Sequence, residues 1–337
     1  MPRIDIFNIQ PSKIDKSLKG KYILLYGAPK TGKSTFGSKL PRALFLKFES
    51  GTNALDNIRG VPIMKWTDVK DILVSLRMPQ AKEMYDTIVV DTTGLAFTLC
   101  EKYICQQNQV EQIKDVPYGG GYTKLKQEFS EVWREISLLG FGILFISHEK
   151  SYDTGIVGAD GEAIMGVKPD LTSTALNIIS AQVDLICYLK TNMLENGDTE
   201  RFLYTRATPR IFAGARYKYI APKIPFGDNG YQELVNAIGD AIDKAVSQDG
   251  AQVSDTQVKD TITVRSFNDV MEEAKTVWKQ LCEKGKAMPT EEESTNFLNR
   301  MNGIVKKVFG RDMKLSQATD AQQDLVELCI DELKTLL

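Results

Sequence analysis

This sequence of 337 residues is poor in the residues that build zinc sites and disulfide frameworks. It holds one histidine and five cysteines, and no two cysteines form a Cys-x-x-Cys pair. Metal-ligating or disulfide-bonded folds need such residues in clusters, so we expect neither a zinc centre nor a disulfide scaffold. This cysteine usage favours a reducing compartment, and we expect a cytoplasmic protein.

Long apolar runs and an excess of basic charge are also missing. No stretch approaches the ~20 apolar residues of a membrane helix, and no signal peptide is recognisable, so no membrane partner is expected. The formal net charge is −2, with 31 basic and 31 acidic side chains in residues 1–262 and 11 basic and 13 acidic in residues 263–337. Neither part is a basic domain, so any contact with nucleic acid must come from local loops.

One glycine-rich motif carries most of the functional signal. The spacing Gly27-x-x-x-x-Gly32-Lys33-Ser34 is typical of a phosphate-binding P-loop. In such a loop successive backbone N–H groups and the following helix face one anion, the lysine reaches the outer phosphates, and the serine hydroxyl ligates Mg²⁺. We therefore expect bound ATP and Mg²⁺, with the nucleotide held by Gly27, Ala28, Pro29, Lys30, Thr31, Gly32, Lys33, Ser34 and Thr35.

The context of the motif fits a nucleotide-binding α/β domain. An apolar strand pattern at residues 22–26 precedes the loop, and a helix pattern follows it from Ser34 to Leu40. Apolar strand patterns at 43–48, 85–91, 141–147, 181–189 and 201–208 then alternate with helical patterns, which indicates a parallel sheet covered on both faces. The predicted organisation is an ATPase core at 1–246, a polar linker at 247–263 and a small helical module at 264–337.

Two acidic residues follow predicted strands. Asp91 ends an apolar strand, where a carboxylate can hold the Mg²⁺ shell, although it could instead cap the next helix. Glu49 follows the strand after the P-loop helix, where a glutamate can polarise the water that attacks the γ-phosphate; the alternative is an ordinary loop glutamate.

Several segments together resemble a known family. The motifs GAPKTGKST, LFLKFESGTNALDN, YDTIVVDTTGLAF and FGILFISHEK occur in the order and spacing of the RecA-like ATPase core. The similarity covers about residues 20–240 and is closest to phage-type RecA-like ATPases of single-strand annealing and recombination. It implies a RecA-like P-loop NTPase core with a mostly parallel sheet, and the host cytoplasm as location if a phage encodes the chain.

The resemblance also implies roles for particular residues. Glu49 would be the catalytic glutamate, and Ser147 or His148 would sense the nucleotide where the family usually has a glutamine. Arg216 and Lys218 would reach the nucleotide of a neighbouring subunit in a homo-oligomeric ring or filament; a solvated basic hairpin is the alternative.

The family's two DNA-binding loops map to two segments. The first, residues 115–124, is glycine-rich, and its candidate contacts are Tyr118, Tyr122, Lys124 and the nearby Lys126. The second, residues 149–174, contains Lys168 and is predicted to be a long loop. Tyrosines can stack on bases and lysines can meet phosphates without reading sequence, whereas mobile surface loops are the alternative.

These expectations favour an ATP-dependent protein that binds single-stranded DNA and promotes annealing or strand exchange. A replication helicase-like motor or a helicase accessory ATPase would use the same core, but only about 20 residues precede the P-loop strand. A small-molecule kinase is less favoured, because residues 110–175 contain one arginine, Arg134, and kinases usually need an arginine-rich lid. The helical module could hold a single-strand binding protein or another recombination protein.

Overall fold

The structure is a computed structural model that describes residues 16–49, 55–56, 58–158, 161–253 and 265–337. The chain folds into two compact units. We call described residues 16–253 the ATPase unit and residues 265–337 the C-terminal unit.

The ATPase unit alternates strands and helices, as its apolar patterns predict. Its strands are β1 Tyr22–Gly27, β2 Ala43–Lys47, β3 Arg59–Pro62, β4 Thr87–Asp91, β5 Gly142–Val157, β6 Ala163–Pro169, β7 Leu185–Met193, β8 Thr199–Tyr204, β9 Gly214–Ala215 and β10 Lys223–Pro225. Its helices are α1 Lys33–Lys39, α2 Trp66–Leu76, α3 Pro79–Met84, α4 Thr93–Gln107, α5 Gly120–Leu138, α6 Ser173–Gln182 and α7 Gly230–Asp249.

The sheet has the order β10-β8-β7-β1-β5-β4-β2-β3, with β6 paired to β5 and β9 paired to β7. The strands from β7 to β3 along this order are mutually parallel, while β8, β10, β6 and β9 pair antiparallel to their neighbours. The P-loop strand β1 is therefore central, flanked by β5 and β7. This architecture confirms the predicted α/β class with a mostly parallel sheet.

Helices cover both faces of this sheet. On one face an aromatic cluster of Trp66, Phe129, Trp133 and Phe145 joins α2 and α5 to β5, and all four side chains are fully buried. On the other face α1 and α7 pack over the central strands with buried apolar side chains such as Phe36 and Ile238. Rigid packing on both faces fixes the carboxyl ends of the parallel strands, where the candidate site lies.

The prediction of a long loop at residues 149–174 was wrong. β5 continues past the sheet to Val157, turns, and returns as β6, so this segment is an antiparallel hairpin followed by the start of α6. We call residues 149–169 the β5–β6 hairpin. The outer half of this hairpin is polar and contains three glycines, a composition that favours a loop. It forms strands because its two halves pair with each other, and a single sequence does not reveal such pairing.

Other boundaries also differ from those predicted. The segment 115–124 is not one loop, because α5 begins at Gly120 and carries Tyr122, Lys124 and Lys126. Residues 181 and 182 end α6, so the following strand begins at Leu185, and the strand predicted to start at Arg201 begins at Thr199 and ends at Tyr204. Helix α7 runs to Asp249 and thus enters the predicted linker, whose residues 254–263 lie outside the described residues.

The C-terminal unit consists of three helices, α8 Phe267–Lys286, α9 Glu291–Phe309 and α10 Gln323–Lys334. Ser266 and Thr290 cap the first two, since each side-chain hydroxyl accepts a backbone N–H of the first turn. Their apolar stripes meet in one core whose centre includes Val270, Leu281 and Met301. The module thus has a hydrophobic core of its own.

Candidate functional site

The P-loop lies at the carboxyl end of β1 and runs directly into α1. Gly32 has a left-handed backbone with φ of 100°, a region that L side chains rarely adopt. A Cβ added there would lie 2.9 Å from a guanidinium nitrogen of Arg201, which could move aside, so the backbone conformation is what requires glycine. The tight turn directs the first N–H groups of α1 toward the anion site.

Lys33 is the buried cation of this loop. Its side chain is 5 % exposed, and its ammonium donates to the carbonyls of Gly27 at 2.9 Å and Ala28 at 2.7 Å. Burial lowers the pKa of Lys33, whereas the nearby carboxylates of Asp91, Glu149 and Glu49 raise it. Burial disfavours the charged form of Lys33, and an anion bound in the loop would stabilise that form, as expected of a lysine that binds phosphate.

Ser34 and Asp91 meet beside Lys33. The Ser34 hydroxyl donates to Oδ2 of Asp91 at 2.6 Å, and Asp91 is 2 % exposed. Burial raises the pKa of Asp91, while the Ser34 hydrogen bond and the charge of Lys33 lower it. A hydroxyl and a buried carboxylate at this distance are oxygen donors of the kind that Mg²⁺ binds together with phosphates and water.

Glu49 lies at the same end of the sheet, two residues beyond β2. The preceding residue, Phe48, donates its N–H to the carbonyl of Asp91 at 2.7 Å, which fixes this segment beside β4. Oε1 of Glu49 stands 3.8 Å from Nε2 of His148, and both side chains are partly exposed. A cavity of about 430 Å³ borders both residues and reaches Lys150 and Asp170 on the hairpin side.

His148 is in register with Gly27, so it stands directly beside the start of the P-loop. Its carbonyl accepts the N–H of Asp170 at 2.8 Å and the hydroxyl of Ser147 at 2.9 Å. Ser147 is 1 % exposed, and its hydroxyl hydrogen bond stays within β5. Of the two predicted sensor residues, His148 is therefore the one that contacts another predicted site residue, Glu49.

The sequence reasoning missed two residues of this site. Glu149 follows His148, raises the pKa of both Lys33 and Tyr188, and has one buried carboxylate oxygen without a hydrogen-bond partner in the described structure. Arg201 on β8 lies against Gly32 and pairs with Asp228 at 3.1 Å. No spacing pattern could have identified either, because both reach the loop only through strand pairing.

Arg201 also borders a small cavity of about 70 Å³ between α1 and the start of α7. Thr35 and Lys39 line one side, and Asp228 and Tyr231 line the other. This cavity continues from the P-loop on the side away from Glu49.

Arg216 and Lys218 lie at the opposite, amino end of the parallel strands. Arg216 pairs with Asp184 at 3.3 Å and donates to the carbonyl of Ala181 at 2.9 Å. Asp184 precedes β7 and accepts the N–H of Tyr22 at 2.9 Å, which places it level with the start of β1. At ~3.3 Å per residue, five residues along β1 separate that level from Gly27 by about 16 Å, so Arg216 does not reach the P-loop of its own chain.

The remaining candidates lie on the surface. Tyr118 is fully exposed and has a left-handed backbone with φ of 58°, while Tyr122 is 52 % exposed. Lys124 donates to the side-chain carbonyl of Asn108 at 2.6 Å, and Lys126 is exposed on the same helix. Lys168 lies on β6 with its ammonium 4.9 Å from the centre of the Tyr152 ring.

The fold and the loop define a class of protein, the RecA-like P-loop ATPases. A sequence match to the AAA domain family AAA_24 covers residues 19–217, more than half of the chain, and the chain belongs to this family. The SPbeta prophage-derived protein YorG of Bacillus subtilis strain 168 is 29% identical over 344 residues, which cover 99% of each chain.

Two solved structures are also similar to this chain. The KaiC-like protein PH0186 of Pyrococcus horikoshii OT3 is 14% identical, covers 62% of this chain and 86% of its own, and has a TM-score of 0.36. The flagellar accessory protein FlaH of Methanocaldococcus jannaschii is 13% identical, covers 62% and 85%, and has a TM-score of 0.31. Both likenesses are too distant to support an argument about function.

Two other kinds of feature are absent from the described residues. No described helix has the length and apolarity needed to cross a bilayer. Within the described ranges no three His, Cys, Asp or Glu side chains are grouped to hold a metal ion, and all five cysteines are unpaired.

Proposed function

We propose that this ATPase binds single-stranded DNA and couples ATP hydrolysis to DNA annealing or strand exchange. The observation that supports the proposal is the continuity of β5. Its inner half lies beside the P-loop strand and carries His148 and Glu149, and its outer half forms the β5–β6 hairpin. One strand therefore joins the nucleotide site to the exposed hairpin that we propose as the DNA-binding surface.

One face of the hairpin combines an aromatic ring with cations. Lys150 and Lys168 are opposite each other in the ladder, and Tyr152 is opposite Gly166, so these side chains share a face. A Cβ at position 166 would lie 2.7 Å from the Tyr152 ring, so glycine lets the ring lie flat on the hairpin. A ring can stack on a base while the ammonium of Lys168 meets a phosphate, without reading sequence.

We also assign two further groups of exposed side chains to DNA contact. Ile211 is bridged to Val167 at the hairpin base, and the preceding Arg210 is exposed. At the start of α5, Tyr118 and Tyr122 are two further accessible rings. The chain as a whole has a net charge of −2, so such local groups would supply the attraction for phosphates.

Roles at the nucleotide site follow from the geometry described above. Lys33 and the backbone of residues 27–35 would hold the phosphates, and Ser34 with Asp91 would hold Mg²⁺, directly or through water. The ion would supply charge neutralisation at the phosphates. Glu49 would accept a proton from an attacking water, and His148, whose Nε2 lies 3.8 Å from Oε1 of Glu49, would restrain it.

The position of His148 gives a physical route from DNA to hydrolysis. The carbonyl of His148 is bonded to Asp170, which also pairs with Lys150 at 3.0 Å. DNA phosphates that compete for Lys150 would weaken this pair and thereby shift His148 relative to Glu49. Such a shift would change the rate of ATP turnover when DNA binds.

Arg216 and Lys218 can contribute to the proposed function only if subunits assemble, so that these residues approach the nucleotide of a neighbour. Since Arg216 lies at the far end of the strands, it could serve a nucleotide only in a neighbouring subunit. Lys218 pairs with Asp249 at 3.0 Å and both are exposed, so a competing phosphate could displace that carboxylate at little cost. We therefore propose a homo-oligomer as the active form.

ATP turnover measured with and without single-stranded DNA tests this function. We expect DNA to stimulate turnover, and binding to weaken steeply as salt rises. Lys168→Glu and Tyr152→Ala should abolish the stimulation and leave turnover without DNA unchanged. Lys244→Glu, which reverses an exposed charge on α7, is the matched control and should behave as wild type.

The same assay distinguishes the alternatives. Turnover indifferent to single-stranded DNA in the wild type, together with undetectable DNA binding, would refute the proposal. Directional unwinding of a duplex with stimulated turnover would identify a helicase-like motor instead. Transfer of the γ-phosphate to a small molecule rather than to water would identify a kinase.

A further inference from the structure

An open apolar groove crosses the surface of the C-terminal unit. It has a volume of about 630 Å³ and lies between α8, α9 and the segment 313–316. Its floor is made by the core residues Ala274, Val305 and Leu315, and its partly exposed walls include Trp278 and Cys282. A partly exposed tryptophan beside other apolar side chains is a common feature of protein-binding surfaces.

The charged side chains that line this groove are all lysines. The titratable lysines that line it are Lys275, Lys279 and Lys314, and no carboxylate lines it. Lys275 pairs with Glu272 at 2.6 Å, whereas Lys279 and Lys314 have no ion-pair partner among the described residues. The surrounding module is slightly acidic, with 11 basic and 13 acidic side chains in residues 263–337, so the groove is a local exception.

The shape of the groove favours a chain segment over a compact small molecule. Along α8 it extends from Met271 to Cys282, which at 1.5 Å per residue is about 16 Å, or three helical turns. An apolar floor of this length fits the apolar face of a short amphipathic segment, as in grooves that bind helices. Lysines at its margin would pair with carboxylates on the polar face of the same segment.

We propose that this groove binds an acidic amphipathic segment of a partner protein. Its apolar side chains would cover Trp278 and Cys282, and its carboxylates would pair with Lys279 and Lys314. This interaction does not involve the nucleotide or DNA chemistry of the ATPase unit, so its test is independent of the test of the proposed function.

Cys282 provides a direct measurement in the full chain. The other four cysteines are buried and Cys282 is partly exposed, so a water-soluble disulfide reagent should react first at Cys282. The probe is a synthetic peptide of about ten residues with leucine and phenylalanine on one helical face and aspartate and glutamate on the other. At ten times its dissociation constant it should slow the reaction about tenfold.

Three controls separate specific binding from general attraction. A peptide with lysine in place of the acidic residues, and one with serine in place of the apolar residues, should give no protection. The double variant Lys279→Glu, Lys314→Glu should bind the acidic peptide at least about tenfold more weakly. Lys286→Glu, at the exposed end of the same helix and outside the groove, should bind it as wild type. Cys282→Ser gives the background reaction of the other cysteines.

Four results would overturn the proposal. The first two are no protection of Cys282 by the acidic peptide and equal protection by either control peptide. The third is protection of Cys282 that rises with protein concentration in the absence of any peptide. The fourth is a faster reaction of Cys282 after deletion of residues 1–15. The third would mean that a second copy of the chain covers the groove. The fourth would mean that the chain's own N-terminal segment does so.

Discussion

Replacing Asp91 with asparagine should stabilise the fold and impair nucleotide binding at once. The carboxylate is 2 % exposed, and its pKa is raised by burial even though the Ser34 hydroxyl and Lys33 act in the other direction. The raised pKa means that ionised Asp91 destabilises the native state in the absence of a bound cation. Asparagine removes this charge and keeps an oxygen that can accept the Ser34 hydroxyl.

The size of the gain can be bounded. A single stabilising substitution commonly adds about 0.5–2 kcal/mol to the free energy of unfolding, and we expect Asp91→Asn to fall in this range. For a unit of this size that corresponds to an increase in Tm of about 1–8 °C. The gain should be largest at neutral pH, where Asp91 is ionised in both states, and should shrink as the pH falls through the raised pKa toward the ordinary value of 3.8.

Calorimetry of Asp91→Asn and wild type, with and without Mg²⁺ and ATP, measures both effects. Without ligand the variant should melt higher. With Mg²⁺ and ATP the stability advantage of the variant should shrink by at least ~1.4 kcal/mol, because the variant would bind the pair at least about tenfold more weakly. A variant that melts lower without ligand, or that keeps wild-type affinity in the presence of Mg²⁺, would refute this account of Asp91.

Three further predictions concern the same site. Lys33→Ala should abolish ATP hydrolysis and weaken nucleotide binding, because it removes the buried cation; wild-type turnover would contradict the assignment of the P-loop. Glu49→Gln should bind ATP with near-normal affinity and hydrolyse it at least about a hundredfold more slowly, and normal turnover would make Glu49 a loop residue. Arg216→Ala should turn over slowly alone but recover activity when mixed with Lys33→Ala, because one intact P-loop can then meet one intact Arg216; absence of recovery would argue against action between subunits.

The sequence allowed the parts governed by local patterns to be predicted. The P-loop, the buried strands before it and after it, and the helical module follow from glycine spacing and apolar periodicity, and the class of fold was confirmed. The roles of Asp91, Glu49 and the P-loop residues stay predictions, although the Ser34–Asp91 hydrogen bond is the contact that those roles require.

The features that depend on pairing between distant strands were not predictable in this way. The outer half of β5 is rich in glycine and polar residues, so it resembled a loop until its pairing with β6 was known. Glu149 and Arg201 reach the P-loop for the same reason, since β5 and β7 flank β1, β8 pairs with β7, and all three strands come from much later in the chain. Local propensity carries no information about such neighbours.

The placement of Arg216 at one end of the parallel strands and of the P-loop at the other restricts the symmetry of any assembly that uses both. In a two-fold dimer the two subunits present the same patch to each other, so a single patch would have to span the ~16 Å between the level of Arg216 and the P-loop. A head-to-tail interface avoids this requirement, because the end with Arg216 and the end with the P-loop then lie on two different patches. Repetition of a head-to-tail contact generates a closed ring or an open helical filament, and the two terminal surfaces of such a filament differ, so the filament itself is polar.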